Sequence, residues 1–226
     1  MGARLTSRLW RHHLPLALAS TGVAGFFYAT RPYPDVITRL SFSTAWPALV
    51  LLTLTLLIGP WRLLKGKSSA ISLDLRRDIG IWAGILGLLH TGIGQCVHLR
   101  GRPWLYYVYE KWNEHVVPIR HDIFGLSNFT GLFAALILLA ALATSNDASM
   151  RAMGNRSWKS LQRWNYAGFA FAGFHTFGYL LGIESLKIPS IVTATLCVIV
   201  AILLQWNGYR SHILSRGNGT ERTTSS

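Results

Sequence analysis

Residues 79–99, IGIWAGILGLLHTGIGQCVHL, contain no charged side chain, and neither do residues 164–183, WNYAGFAFAGFHTFGYLLGI. Each is about the ~20 residues that a helix needs to cross the hydrocarbon core of a bilayer. Four further gaps between successive charged residues have the same size: 12–30, 40–61, 123–146 and 188–209. The 226-residue chain is 50% apolar and 14% charged, against roughly a quarter charged in soluble domains, and the deficit lies in these gaps. The expected fold is therefore all-α, a polytopic membrane bundle with six transmembrane helices in one domain over residues 14–209. Residues 1–13 read as a cytoplasmic N-terminal segment. Residues 210–226, polar and rich in Gly, Thr and Ser toward their end, read as a disordered cytoplasmic tail.

The net charge of +13 would suggest nucleic acid in a soluble chain, but its placement assigns it otherwise. When the connecting segments are numbered alternately, 15 of the 22 basic residues fall on the side of the two termini, leaving about +11 on that side and +2 on the other. Lysine and arginine collect on the cytoplasmic face, so both termini are expected inside, in the inner (plasma) membrane, facing membrane lipid and no nucleic acid. The apolar run that starts at Leu14 leaves no hydrophobic region before the Ala17-Leu18-Ala19 triplet, so the first span reads as uncleaved. Pro47 falls inside the second span, where a kink is tolerated. Cys96 and Cys197 stand in separate spans without a CxxC or CxxCH motif, which disfavours a disulfide framework, a thiolate zinc site and covalent haem; each reads as a small buried hydrophobe. The outer connection from Arg100 to Asp122 interleaves Trp104, Tyr106, Tyr107, Tyr109 and Trp112 with charges, the pattern of an interfacial helix or of a docking surface.

Ionisable side chains inside spans are costly enough to mark function, and here they are histidines. His12, His13, His115 and His212 fall at or beyond the span edges, where solvation accounts for them; His98 and His121 sit near the outer edge. His90 and His175 are different. Both lie 11 residues into spans that run from inside to outside, about 16 Å deep at 1.5 Å per residue. Two imidazoles at one depth on parallel helices can take both axial positions of a flat metal macrocycle, the arrangement of a bis-histidine b-type haem. Glycines flank both residues, and Phe171, Phe174 and Phe177 could line the ring. The same glycines are also what tight helix packing uses, and a lone buried histidine is often a hydrogen-bonded core group.

The segment Arg76-Arg77-Asp78-Ile79-Gly80-Ile81-Trp82 followed by Leu89-His90 resembles the third span of the ferric reductase-like transmembrane family. Thr144-Ser145, Met153-Gly154, Trp158-Lys159-Ser160-Leu161-Gln162-Arg163, Tyr166 and His175 follow the same family's later pattern, so the resemblance covers about residues 40 to 185. More closely, the chain is similar to the haem-binding membrane subunits of periplasmic protein-methionine-sulfoxide reductase systems. The resemblance implies a six-helix domain carrying b-type haem and passing electrons out of the membrane, with His90 and His175 as haem ligands. It also implies a departure. Two-haem members have an inner histidine pair about 20 Å toward the cytoplasm, where this chain has Gln162 and Arg76 or Arg77. Glutamine is not a usual axial ligand and arginine stays protonated, so one haem is expected, not two.

With no inner haem, three answers remain open: a flavin such as FMN bound at the basic inner loops, quinol from the quinone pool, or an inactive inner half. Arg76, Arg77 and Arg163 are candidate partners for a flavin phosphate or haem propionates, since guanidinium groups bind oxyanions bidentately, although ordinary positive-inside charge accounts for them too. The acceptor expected is an extracytoplasmic reductase subunit or a small oxidant such as ferric iron. A haem-free channel, transporter or scaffold with the same fold is the alternative, in which His90 and His175 pair with hydroxyls such as those of Thr91 and Thr176.

Overall fold

The computed structural model describes residues 6–31, 33–65, 73–99, 101–183 and 188–223. A π-helical turn, Leu9–His13, leads into α1 (Leu14–Thr30), followed by α2 (Val36–Lys65), α3 (Leu73–Gly94), α4 (Ile123–Ala143), α5 (Asp147–Arg163), α6 (Asn165–Gly182) and α7 (Ile188–Thr223). Among the described residues the only extended pairing is the isolated bridge between Val108 and Ile119. Each of the six uncharged gaps is thus occupied by one helix.

Val36–Lys65, Ile123–Ala143 and Ile188–Ser211 are long and apolar enough to cross a membrane. The other three are less marked, because α1 has 17 residues and α3 and α6 are diluted by glycine, histidine and, in α3, a charged first turn. Burial separates the roles of the long helices: 61% of the apolar window of α2 is buried inside the protein, 33% of that of α4 and 17% of that of α7. α2 is the central post. It packs on α1, α3 and α7, while α3 packs on α4 and α4 packs on α6. The faces left bare on α4 and α7 carry Phe133, Leu136, Leu139, Leu196, Ile202 and Leu203, apolar surface suited to lipid and not to water.

Backbone groups inside an apolar environment must find partners within the protein, and the chain meets this in two ways. Hydroxyls turn back on their own helix: Thr53 donates to the Leu49 carbonyl at 2.7 Å, Thr55 to Leu51 at 2.9 Å and Thr176 to Ala172 at 2.8 Å. α2 runs continuously through Pro47 and Pro60. Pro60 lacks the N–H that would reach the Leu56 carbonyl. Gln205 of α7 supplies the donor instead, at 2.9 Å. Gly208 makes that approach feasible, since a Cβ there would stand 2.9 Å from the Pro60 Cβ.

Three sequence expectations are altered, and one helix has no counterpart among them. The connection 101–122 is not an interfacial helix: it holds two short 3-10 turns, Pro103–Tyr106 and Trp112–Glu114, folded back so that Tyr106 is 1% exposed. Tyr106 and Tyr107 pack inward on Phe124 and Phe129 of α4, whereas Trp104 is exposed. α5, an amphipathic surface helix with no buried residue, fills the inner connection and is capped by the Asn146 side chain, which accepts from the Ser149 N–H. Gly154, at φ 73°, divides it, a backbone conformation that other residues rarely adopt. Cys96, in the turn after α3, is exposed and Cys197 of α7 half-buried. α7, finally, continues as helix to Thr223 with no proline after Tyr209 to interrupt it.

Candidate cofactor site

α2, α3, α4 and α6 enclose a cavity whose wall carries both His90 and His175. The two imidazole centres are 6.0 Å apart with ring planes at 69°. Each ring is anchored the same way. His90 Nδ1 lies 2.9 Å from the Ser41 carbonyl of α2, and His175 Nδ1 lies 2.8 Å from the Ser127 carbonyl of α4. A carbonyl can only accept, so the proton of each neutral ring sits on Nδ1 and the lone pair on Nε2. A neighbouring carbonyl that fixes tautomer and orientation in this way is the usual support of a metal-binding histidine. With metal–nitrogen bonds of about 2 Å on both sides and about 1.1 Å from nitrogen to ring centre, two imidazoles on one ion have centres roughly 6 Å apart. The observed separation matches.

The glycines divide into two groups. Gly131 lets His175 approach α4, since a Cβ there would lie 2.6 Å from His175 Nδ1. Gly178 does the same for Ser127, whose Oγ would be 1.9 Å from an added Cβ. Gly84, Gly87, Gly168 and Gly182 instead seat Leu142, Leu138, Ile137 and Ile123, and so serve helix packing. The aromatic expectation is corrected. Phe171 packs on Phe133, Phe174 is exposed, and Phe177 packs with Trp46 and Leu180; the rings that line the cavity are Phe42, Trp46 and Tyr179. None of Phe171, Phe174 and Phe177 lines the cavity that holds His175.

His98 lines the same cavity at the end nearest the 101–122 connection, stacked at 6.0 Å on Tyr179, which in turn lies 4.9 Å from His175. Tyr106 closes this end by donating to the Gly94 carbonyl and accepting from the His98 N–H. His121 is exposed, its Nδ1 3.3 Å from the Ile119 carbonyl, and is not part of the cavity. The hydroxyls of Thr91 and Thr176 donate to Gly87 and Ala172 of their own helices, so the histidine Nδ1 atoms take backbone carbonyls and not these hydroxyls.

This histidine pair belongs to a chain with recognisable relatives. The haem-binding subunit MsrQ of a protein-methionine-sulfoxide reductase from Bordetella pertussis is 33% identical over 175 residues, 76% of this chain and 73% of the relative. The chain belongs to the MsrQ family. The MsrQ of Ralstonia nicotianae is 29% identical over 180 residues, 79% of this chain and 74% of that one, and the MsrQ of Deinococcus radiodurans 30% over 140 residues, 62% and 61%. No family model matches the chain. Family and apolar helices together make it an integral membrane protein.

The inner level of this MsrQ chain is built differently. Gln162 Nε2 donates toward the Ala141 carbonyl at 3.3 Å, and its Oε1 accepts from Asn165 at 3.3 Å. Arg76 Nε donates to the Thr55 carbonyl of α2, whereas Arg77 donates to the Ser145 carbonyl and pairs with Asp147 at 2.6 Å. Arg163 is exposed at the end of α5. None of these three arginines lines the cavity.

One cluster was not legible in the sequence. Asp78, 0% exposed, is held by Arg8 through a hydrogen-bonded ion pair, by His12 Nδ1 at 2.7 Å and by His13 Nε2 at 3.3 Å. His12 and His13 are therefore partners of a buried carboxylate and not simply solvated edge residues. The signal was an acidic residue at the start of a span together with a basic Arg-x-x-x-His-His segment, but only the fold brings residues 65 to 70 positions apart into contact.

Proposed function

We propose that the chain is the haem-binding membrane subunit of an extracytoplasmic reductase, with His90 and His175 as the two axial ligands of one b-type haem. The observation that carries this reading is the pair of half-buried imidazoles, each anchored through Nδ1 to a carbonyl of a neighbouring helix, 6.0 Å apart in one cavity. Two imidazoles do not complete a tetrahedral or octahedral site by themselves, so the ion they suit brings its remaining ligands in a ring. A haem bound there supplies one-electron transfer between ferric and ferrous iron. The protein's part is to fix the ligands, exclude water and set the potential through the Nδ1 bonds and the apolar wall.

The six helices that fill the uncharged gaps support six spans, and the charge asymmetry supports both termini on the cytoplasmic side of the inner membrane. The polar end of the cavity lies nearest the 101–122 connection, which is then extracytoplasmic and faces the reductase partner, consistent with the relatives' designation as subunits of a protein-methionine-sulfoxide reductase. Electrons enter from the other side, from quinol within the bilayer or from a flavin such as FMN. Arg163, exposed at the end of α5, is the basic group best placed to meet a flavin phosphate there.

Purified protein should show the split reduced alpha and sharpened Soret bands of a low-spin b-type haem, at one haem per chain. His90→Ala and His175→Ala should each abolish that spectrum. Retention of full haem by either variant, or haem-free protein that conducts ions or protons in liposomes, overturns the reading in favour of a channel, transporter or scaffold.

A further inference from the structure

The arginines at the inner end of the bundle are not all matched. Arg8 pairs with Asp78 and Arg77 with Asp147. Arg62 and Arg76 form no ion pair among the described residues. Arg76 makes one hydrogen bond, from Nε to the Thr55 carbonyl of α2, which leaves its two terminal nitrogens unused. Arg62 is half-buried near the end of α2, and its Nη1 is closed off from solvent with no acceptor. A charged N–H group in that state has lost its water and gained nothing, which is unfavourable until an oxygen from outside the chain takes the bond.

Both guanidinium groups belong to one turn of α2. Arg76 Nη1 lies 3.6 Å from the point where a Cβ on Gly59 would stand, so this guanidinium sits against α2 at that glycine. Arg62 follows three residues later, where Cβ positions on a helix are about 5–6 Å apart and a long side chain leans back over the preceding turn. Like charges this close repel. The sequence that joins α2 to α3, GKSSAIS at 66–72, adds Lys67 and no carboxylate. The pair therefore calls for an anion, and the flanking side chains say which kind. Trp61, Leu63 and Leu64, on either side of Arg62, are exposed, and the helix that carries them is long and apolar enough to cross a membrane. A free phosphate would meet the cations and leave this apolar rim bare, whereas an amphiphile covers both.

We infer that Arg62 and Arg76 form a binding site for the phosphate of an anionic phospholipid in the inner leaflet, whose acyl chain lies against Trp61, Leu63 and Leu64. The ligand chemistry is a phosphate oxyanion, which guanidinium groups bind bidentately, and anionic headgroups gather on the cytoplasmic face. A lipid held there ties the inner end of α2 to that of α3. The site is separate from the histidine cavity, whose wall neither arginine joins, and it does not depend on the haem reading.

The test uses the full chain in detergent, stripped of lipid and titrated with phosphatidylglycerol, phosphatidylcholine, inorganic phosphate or FMN. Melting temperature is followed, and native mass spectrometry counts the lipid retained. Phosphatidylglycerol should raise the melting temperature of wild type by about 5 °C, and phosphatidylcholine by clearly less. Arg62→Gln with Arg76→Gln should abolish that increment and the retained lipid, with the visible spectrum unchanged. Arg62→Lys keeps the charge but not the planar fork, and should weaken lipid binding several-fold; it carries the test if the double variant is not recovered folded. Arg151→Gln with Arg156→Gln removes the same charge from the exposed face of α5 and should keep the whole increment. An equal loss in this α5 variant shows general charge attraction and overturns the inference. So does a wild type indifferent to phosphatidylglycerol, or an increment from inorganic phosphate or FMN that the Arg62 and Arg76 substitutions remove while phosphatidylglycerol has none.

Discussion

Two levels of the bundle sit about 20 Å apart, as judged from the helical rise between Arg77 and His90, and they use polar side chains in opposite ways. At the His90 and His175 level each ring spends one nitrogen on a backbone carbonyl and keeps the other for the cavity. At the inner level Gln162, Arg76 and Arg77 direct their donors to the carbonyls of Ala141, Thr55 and Ser145 and to the Asp147 carboxylate. Both levels have polar groups on converging helices. What separates them is whether a lone pair remains after the backbone has been served: histidine has two nitrogens with different roles, whereas arginine has only donors.

The strongest way to break the comparison is at the outer pair. His90→Ala or His175→Ala should lower the haem-to-protein ratio at least tenfold, read by the pyridine haemochrome assay. Gly131→Ala sharpens it without touching a ligand. Its Cβ would meet His175 Nδ1 at 2.6 Å, so the ring must shift and lose the Ser127 carbonyl; haem occupancy should fall several-fold, while Gly173→Ala, with nothing within 4 Å, should match wild type.

Asp78 tests the inner half for a structural role. Asp78→Asn removes the charge that Arg8, His12 and His13 surround, and should cost about 2 kcal/mol, seen as a lower melting temperature in detergent. The haem spectrum should be unchanged, because His90 stands 12 residues, about 18 Å, further along α3. Asp122 is a smaller case. Its side chain caps α4 by accepting from the Gly125 N–H and is held below the usual carboxylate range by the hydrogen-bonded Arg120 guanidinium. A depressed carboxyl stabilises the fold above the ordinary value of about 4 and loses that contribution as pH falls through the lowered one. Asp122→Ala should therefore cost about 1 kcal/mol at pH 7 and less in acid. The smallest expected effect is that of Gln162→His, which should leave the stoichiometry at one haem, since no lone pair faces it from Arg76 or Arg77; a second haem would show that the inner level was closed by one residue alone.

Much of the fold could be read without coordinates because charge is so costly in hydrocarbon that its absence marks each apolar helix. Each gap coincides with a helix, and equal depth picked out His90 and His175 before their rings were seen 6.0 Å apart. What failed to appear were features that depend on facing direction. Phe174 shares a helix with His175 yet points outward, and Tyr106 looked like a belt residue yet is buried. Five aromatic residues interleaved with charges do not say which way a loop folds, and α5 was hidden because its amphipathic pattern carries more charge than any apolar gap.

The sequence by itself determined the membrane class, the number of apolar segments and the common depth of the two histidines, because these depend on counting residues along a helix of fixed rise. Only the tertiary structure decided which carbonyls engage Nδ1, which glycines serve packing and which serve a ring, and that Asp78 gathers Arg8, His12 and His13. Those are relations between helices. They are set by rotation about each helix axis and by the approach of neighbours, quantities that no spacing along one strand of sequence contains.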